Sequence, residues 1–401
     1  MMITNPPEET MTVRDRRGYD DVAVTTPVTV PYVRYSTHGA HWFAASALAT
    51  LLERSGLEKA AVDGLCFSSF TAGPDNAVAM TQHLGLTVRW LDHIPMGGVS
   101  GVVSLRRALR AVQSGDATVV ACIAADTHRL DSFRSIVENF SQFSRDAVHP
   151  YGAGGANASF ALLTDYYMRT YGARAEDFGK LCVAQRESAC RFPYALLRKP
   201  LTLDDYLKAR PIAEPLRLFD CVMPCAGAEA FLVMKRRRAA ELGLAHAVVL
   251  GATECHNPFP DDPIQTRGGW ALDRDELFAQ AGISRDDIDL VQTYDDYPVM
   301  SVIQLEDLGF CAKGEGAEFI RSHTFTTDGT FPLNTSGGQL SAGQAGAAGG
   351  HLGLTEALRQ VTGAVLGAGV PDAATALVSG FGMMIYDRGL CSGAAILARA
   401  A

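Results

Sequence analysis

The sequence predicts an α/β protein that consists of two similar halves, and two internal repeats lead to this prediction. Residues 51–65 show an amphipathic helix, a glycine stop and an Asp-led apolar strand, and residues 277–291 repeat this pattern without a gap. A second repeat relates the helix and strand at residues 108–123 to residues 357–378. Because both repeats occur in the same order, we interpret them as a duplication. Short apolar strands that alternate with helices predict mixed sheets covered by helices on both faces.

The duplication also predicts the domain organisation. Residues 1–22 are largely polar and lack the apolar stretch of a secretion signal, which predicts a disordered leader. The N-terminal half is expected at residues 23–248 and the C-terminal half at residues 249–401. Residues 126–217, approximately, have no counterpart in the second half, and an insertion of this size predicts a cap over a site.

Composition excludes several classes of function. The 401 residues carry a formal net charge of -9, which argues against nucleic acid as a partner. No apolar run reaches the ~20 residues needed to span a bilayer. The 9 cysteines are an odd number and include no Cys-x-x-Cys pair, so we expect reduced thiols, no metal site and a cytoplasmic protein.

Two glycine-rich segments occupy corresponding places in the two halves. Residues 96–101 read Met-Gly-Gly-Val-Ser-Gly and lead directly into a helical pattern, and residues 337–350 do the same in the second copy. Glycine permits close approach of the backbone to a ligand or to a facing helix. Both segments are therefore predicted to approach a ligand or a facing helix closely, with a low-complexity linker as the alternative for the second.

Two longer segments carry a resemblance to a known family. Residues 198–221, followed by Gly-Ala-Glu-Ala at 227–230, and the block from Asn334 to Gly363 resemble the thiolase superfamily, specifically its lipid-transfer-protein branch, which includes sterol carrier protein X thiolase. The resemblance covers approximately residues 25–398. It implies a thiolase-like duplicated αβαβα fold of five layers with an inserted cap region, and a homodimer.

The catalytic residues of that family are not retained. Thiolases use a nucleophilic cysteine, a histidine, a second cysteine, and an asparagine or histidine. At these places the sequence has Gly98, Gln344, Val378 (or Ser379 with a one-residue shift) and Tyr294. A glycine cannot hold an acyl group and a glutamine cannot take a proton, so thiolysis through a covalent acyl-enzyme is disfavoured.

Members that lose these groups resemble the steroid side-chain aldolases. That resemblance implies cleavage of a β-hydroxyacyl-CoA by a retro-aldol step, with a coenzyme A thioester as substrate and no tightly bound cofactor. It also implies a small OB-fold partner protein that bears a zinc ribbon. A retro-aldol step requires a base for the β-hydroxyl proton and donors that stabilise the thioester enolate, but no covalent intermediate.

The segment 293–297 offers the best candidates for this chemistry. Tyr294, Asp295 and Asp296 directly follow the duplicated strand, and consecutive polar side chains there are costly to bury for packing alone. We expect Tyr294 to be the acid/base, with its pKa lowered by its neighbours, and Asp295 or Asp296 to orient it. Which of the two carboxylates faces the site stays open, and a surface turn is the alternative.

Further candidates surround this group. The side-chain amide of Gln344 and the backbone N–H groups of Gly98, Gly380 and Gly382 are expected to bind the thioester oxygen. Ser100, in the same turn as Gly98, is grouped with the thioester-binding residues, although no His–acid pair nearby supports it as a nucleophile. His256 begins an irregular Pro-rich stretch and is a further catalytic candidate, with a structural role as the alternative.

Two other functions remain compatible with these observations. The first is an acyltransferase of the thiolase type in which coenzyme A attacks directly, without the usual cysteine. The second is a non-catalytic subunit that binds acyl-CoA. The sequence does not identify the acyl group.

Overall fold

The computed structural model describes residues 18–130, 146–147, 149–152, 155–385 and 388–400. The strands are β1 (Val22–Val33), β2 (Gly64–Ser68), β3 (Trp90–His93), β4 (Val119–Asp126), β5 (Pro211–Ala213), β6 (Leu216–Arg217), β7 (Ala226–Lys235), β8 (His246–His256), β9 (Leu290–Gln292), β10 (Thr375–Ile385) and β11 (Arg388–Arg399). The helices are α1 (Ala40–Ser55), α2 (Ala77–Leu84), α3 (Ser100–Ser114), α4 (Ala156–Tyr171), α5 (Ala175–Arg191), α6 (Leu203–Leu207), α7 (Arg236–Glu241), α8 (Trp270–Ala281), α9 (Pro298–Asp307), α10 (Gly316–Ser322), α11 (Gly338–Ala342) and α12 (Gly349–Thr362).

The strand order confirms the predicted duplication. Nine strands form one mixed sheet in the order β3-β2-β4-β7-β1-β8-β11-β10-β9. In the first half β2 and β4 are parallel, β7 is antiparallel to β4, and β1 is antiparallel to β7. In the second half β9, β10, β11 and β8 follow one another with the same directions. Even edge strand β3 has a counterpart, because Leu333 forms a parallel bridge to Val291 of β9.

The two halves meet along β1 and β8. These strands pair antiparallel at Val24–Ala247 and Thr25–His246. This pairing joins the two sheets that the sequence predicts into one continuous sheet. Strand β8 begins at His246, so it crosses the predicted division between residues 248 and 249. At the other end, Tyr19 is buried and Val22 opens β1. The last residues assigned to the leader therefore belong to the fold, while residues 1–17 lie outside the described residues.

Helices cover the sheet in the layers that the sequence predicts. Helices α3 and α12, the two copies of the duplicated helix, pack against each other, and apolar residues of both sheet halves join them in one buried cluster. Helices α1 and α2 cover the outer face of the first half, and α8 and α9 cover that of the second. The order is helix, first half of the sheet, helix, second half of the sheet, helix.

The described helices of the insertion, α4 and α5, pack on the second half of the molecule. Helix α4 contacts α9, and α5 contacts α11. Phe160 of α4 stacks on Tyr297 with ring centroids 4.1 Å apart, and the Tyr297 hydroxyl donates to Asn157 Oδ1 at 2.6 Å. The inserted helices thus lie directly over the segment that the sequence selects as the site.

A buried carboxylate lies between the first half of the sheet and α12. Glu229 of β7 is fully buried and accepts hydrogen bonds from the hydroxyls of Thr29, Tyr32 and Thr355. Burial raises the pKa of Glu229 to about 7, against the opposing effect of Arg359. The folded state therefore binds this proton more tightly than the unfolded chain does.

The pH dependence of stability follows from this raised pKa. The favourable contribution of protonated Glu229 is fully present below the unfolded pKa and is lost as the pH rises through about 7. We expect the free energy of unfolding of the wild type, relative to Glu229→Gln, to fall by about 3 kcal/mol over this window. Urea unfolding across the pH range measures it, with the exposed Glu53→Gln as control. A pH-independent difference would contradict the assignment.

Among the described residues, no helix combines the length and the apolar character needed to cross a bilayer.

Candidate active site

The ring of Tyr294 occupies the space that a side chain on residue 98 would need. Tyr294 follows β9, and Gly98 lies in the 3-10 turn Gly97–Val99 that leads into α3. A Cβ built on Gly98 would lie 2.3 Å from both Cε1 and Cζ of Tyr294, and 2.3 Å from the carbonyl oxygen of Phe381. Glycine is therefore required at position 98 by the tyrosine that faces it.

The hydroxyl of Tyr294 is held by Gln344. Gln344 Nε2 donates a hydrogen bond to the phenolic oxygen at 2.7 Å, which leaves the phenolic proton available to another acceptor. The structure therefore brings together three predicted site residues: Gly98, Tyr294 and Gln344.

A buried glutamine that the sequence analysis missed fixes the backbone of Tyr294. Gln304 of α9 accepts from the N–H of Tyr294 at 3.1 Å and donates to its carbonyl oxygen at 2.8 Å. Ser379 also donates to Gln304 Oε1 at 2.6 Å. The available signal was a glutamine in the mainly apolar run of residues 299–305.

The expectation for the pKa of Tyr294 was wrong. Burial, and then the charge of Asp296, raise the pKa of Tyr294 well above 10, while the hydrogen bond from Gln344 opposes them only in part. The side chain is 8% exposed, so little water reaches the phenolate. Tyr294 is consequently a protonated donor at neutral pH and not a ready base.

The two carboxylates beside Tyr294 have different environments. Asp295 accepts hydrogen bonds from the backbone N–H groups of Gln339 and Leu340, at 2.8 and 3.3 Å. It therefore caps α11, and within the described part of the chain no hydrogen bond joins it to the phenol, contrary to an orienting role by direct hydrogen bond. Burial raises the pKa of Asp295 to about 7.

Asp296 is the carboxylate left for chemistry. It is 9% exposed, and its Oδ1 is buried without a hydrogen-bond partner among the described residues. Burial and the charge of Asp295 raise the pKa of Asp296 well above its ordinary value. Its own charge raises the pKa of both Tyr294 and Tyr297.

Gly380 and Gly382 of β10 allow the turn that contains Gly98 to pack closely against this strand. A Cβ on Gly382 would lie 2.0 Å from the Met96 carbonyl oxygen, and one on Gly380 would lie 2.7 Å from that of Gly98. Ser100 is fully buried, and its hydroxyl donates to the carbonyl oxygens of Gly97 and Ala347 at 2.5 and 3.2 Å. Ser100 therefore joins two loops, which leaves its hydroxyl proton unavailable to substrate.

His256 is not brought to this group. It ends β8, opposite Cys391 of β11, and β11 separates β8 from Gly382 of β10. The imidazole is half-exposed and bonds to Glu254 Oε1 at 2.8 Å and to Cys391 Sγ at 3.1 Å. Two strand spacings place it about 10 Å from Gly382 along the sheet. Its hydrogen bonds with Glu254 and Cys391 support the structural role that the sequence left as the alternative.

Among the described residues, no group of three or more histidine, cysteine or carboxylate side chains is arranged to hold a metal ion.

Comparison with known proteins identifies the family of the chain. Residues 266–396 match the thiolase C-terminal domain-like family. The chain is 30% identical to a steroid side-chain-cleaving aldolase of Thermomonospora curvata, over 80% of this chain and 85% of that protein. It is 32% identical to a 17-hydroxy-3-oxo-4-pregnene-20-carboxyl-CoA lyase of Mycobacterium tuberculosis, over 80% and 86%. The chain belongs to the thiolase superfamily.

Solved structures support the same placement. A structure of an Ltp2-ChsH2(DUF35) aldolase superposes with a TM-score of 0.82 at 27% identity, over 95% of this chain and 98% of that one. A monomeric SCP2-thiolase-like protein of Mycobacterium smegmatis, at 15% identity, shares the fold with a TM-score of 0.71 over 95% and 78%. Both the thiolase-like fold and the aldolase branch predicted from the sequence are confirmed, and the chain is a carbon–carbon lyase.

Proposed function

We propose that this lyase splits a β-hydroxyacyl-CoA into a carbonyl compound and a shorter acyl-CoA. The β-hydroxyl loses its proton, its oxygen electrons form the carbonyl double bond, and the bond between Cα and Cβ breaks. The electrons of that bond pass to the thioester as an enolate. Return of the proton to Cα then completes the acyl-CoA product, so the protein is unchanged by the cycle.

Tyr294 is proposed as the donor to the thioester oxygen. The observation that carries this proposal is the phenol itself, which lies against Gly98 with its oxygen bound by Gln344 and its proton free. The raised pKa of Tyr294 keeps that proton in place at neutral pH. A buried donor aimed at developing negative charge is the main requirement for enolate formation.

Asp296 is proposed as the base for the β-hydroxyl. Its Oδ1 has no hydrogen-bond partner among the described residues and offers an acceptor near Tyr294. The raised pKa of Asp296 makes it a stronger base than an ordinary carboxylate once ionised. Asp295 contributes indirectly, because its charge raises the pKa of Asp296. Gly98 then leaves space for the ring of Tyr294, and Gly380 and Gly382 allow the turn beneath that ring to pack against β10.

The assembly is proposed to include a second copy and a partner protein. Strand β3 is an edge of the sheet, and an edge strand can pair with its copy from another molecule to form a homodimer. The similarity to the Ltp2-ChsH2(DUF35) aldolase supports a partner protein of the DUF35 type. We propose that this partner is the small OB-fold protein with a zinc ribbon that the resemblance implies.

The test is a product assay. We expect the chain, supplied with a β-hydroxyacyl-CoA and with or without a DUF35-type partner, to release an aldehyde or ketone and the shortened acyl-CoA. Chromatography of CoA esters and carbonyl derivatives detects both. Since the proposed step consumes no coenzyme A, the rate should not depend on added free coenzyme A.

Two outcomes would point to the alternatives. Cleavage that strictly requires free coenzyme A would identify an acyltransferase. Thermal stabilisation by acyl-CoA, without any product under either condition, would identify a non-catalytic binding subunit.

A further inference from the structure

A buried carboxylate holds each end of the segment that carries Gln344. This segment runs from the start of α11 to the 3-10 turn Gly346–Ala348. Asp295 caps its first end, as described above. At its second end, the backbone N–H of Ala347 donates to Asp126 Oδ2 at 2.6 Å.

The other oxygen of Asp126 binds a loop of the first half. Asp126 ends β4, is 1% exposed, and its Oδ1 accepts four hydrogen bonds. The donors are the Ser69 hydroxyl at 2.9 Å, the Phe70 N–H at 2.9 Å, the Thr71 N–H at 2.7 Å and the Thr71 hydroxyl at 2.6 Å. One carboxylate therefore joins the loop after β2 to the Gln344 segment of the second half.

Both loops connected by Asp126 reach the site. Phe70 lies 3.5 Å from the position of a Cβ on Gly97, in the turn under Tyr294. Gln344 contacts the Tyr294 hydroxyl itself. The contact with Asp126 also needs glycine at position 346, because φ is +51° there and a Cβ would lie 2.2 Å from Asp126 Oδ2.

We infer that Asp126 is a positioning residue, which holds the Gln344 amide on the Tyr294 hydroxyl across the junction of the two halves. This inference rests on the proposed function of Tyr294. Asp126 touches no reacting atom in this scheme and acts only through Gln344. The Gln344 backbone is anchored separately, to the Met223 carbonyl and the Cys225 N–H. Loss of Asp126 should therefore misplace the side-chain amide more than it disrupts the fold.

A double-mutant cycle tests the inference. In the wild-type background, Asp126→Asn replaces an acceptor oxygen by a donor, and we expect kcat to fall about 10- to 100-fold with KM changed less than about threefold. In the Gln344→Ala background the same substitution should change kcat less than about twofold, because the group it positions is absent. Equal losses in the two backgrounds, or no loss in the first, would overturn the inference.

A second variant and a control protect the test against misfolding. Gly346→Ala directs a methyl group at Asp126 Oδ2 while it leaves the carboxylate and its four other hydrogen bonds in place. Like Asp126→Asn, it should lower kcat in the wild-type background and change kcat much less in the Gln344→Ala background. Asp307→Asn is the control, since Asp307 is also buried and accepts a backbone N–H, that of Gly268 at 2.7 Å, far from this segment in the chain. It should lower stability but keep kcat.

The two proposals fail separately. Unchanged turnover of Tyr294→Phe would contradict the proposed role of Tyr294 as donor. If Tyr294→Phe is inactive but the effects of Asp126→Asn and Gln344→Ala on kcat are additive, only the role of Asp126 is contradicted.

Discussion

Tyr294→Phe is expected to lower kcat by about 10²- to 10³-fold while it leaves binding of the acyl-CoA largely intact. The ring stays in the space over Gly98, so packing is preserved, and only the hydroxyl that faces Gln344 is lost. The enolate then forms without its donor. Steady-state assays of carbonyl release, with binding followed by thermal shift, separate the two effects.

The matched control is Tyr206→Phe. Tyr206 is also buried, and its hydroxyl also makes a hydrogen bond, to Asp220 Oδ1 at 2.5 Å, but it lies in α6 of the inserted region. It should lose a comparable amount of stability and retain turnover. If both variants turn over as the wild type does, Tyr294 is not the donor.

Gly98→Ala is expected to remove most of the activity by displacement of Tyr294. The added methyl group would lie 2.3 Å from two ring carbons and from the Phe381 carbonyl oxygen, and the latter belongs to a strand that cannot easily move. Overpacking of this kind costs about 1–3 kcal/mol in the free energy of unfolding. A shift of about 1 Å in the ring should lower kcat about 100-fold.

Urea unfolding and turnover measured together check this prediction. Gly369→Ala serves as control, since a Cβ there would meet its nearest atom at 3.6 Å, which is ordinary contact. Full activity of Gly98→Ala would show that the phenol need not occupy its observed place. The same geometry predicts that Gly98→Cys does not restore a thiolase, because the tyrosine fills the position of the sulfur.

The local signals in the sequence were sufficient for the fold. The helix-glycine-strand repeats at residues 51–65 and 277–291 became α1 with β2 and α8 with β9, because hydrophobic periodicity and glycine stops are local properties. The junction between the halves was not accessible in this way. Pairing of β1 with β8 depends on contacts between residues more than two hundred positions apart.

The site was predicted in part. Gly98, Tyr294 and Gln344 were selected because each replaces a residue that family chemistry needs, and the structure brings them into contact. We expected the neighbours of Tyr294 to lower its pKa, but the pKa is raised. The reason is that burial, which the sequence does not show, has a larger effect than the neighbouring groups. Gln304 and Asp126 were missed because their partners are distant in sequence.

The sequence by itself determined a duplicated α/β framework and a centre without the usual cysteine and histidine. Those features depend on residue identity and spacing, which are read directly from the chain. Only the tertiary structure decided that a buried tyrosine stands where the thiol is missing, that Asp295 caps a helix, and that His256 lies elsewhere. It also decided that Oδ1 of Asp296 is buried without a hydrogen-bond partner among the described residues. Hydrogen-bond partners, burial and the resulting pKa shifts arise when the two halves and the inserted helices pack together, and no single segment of the chain contains that information.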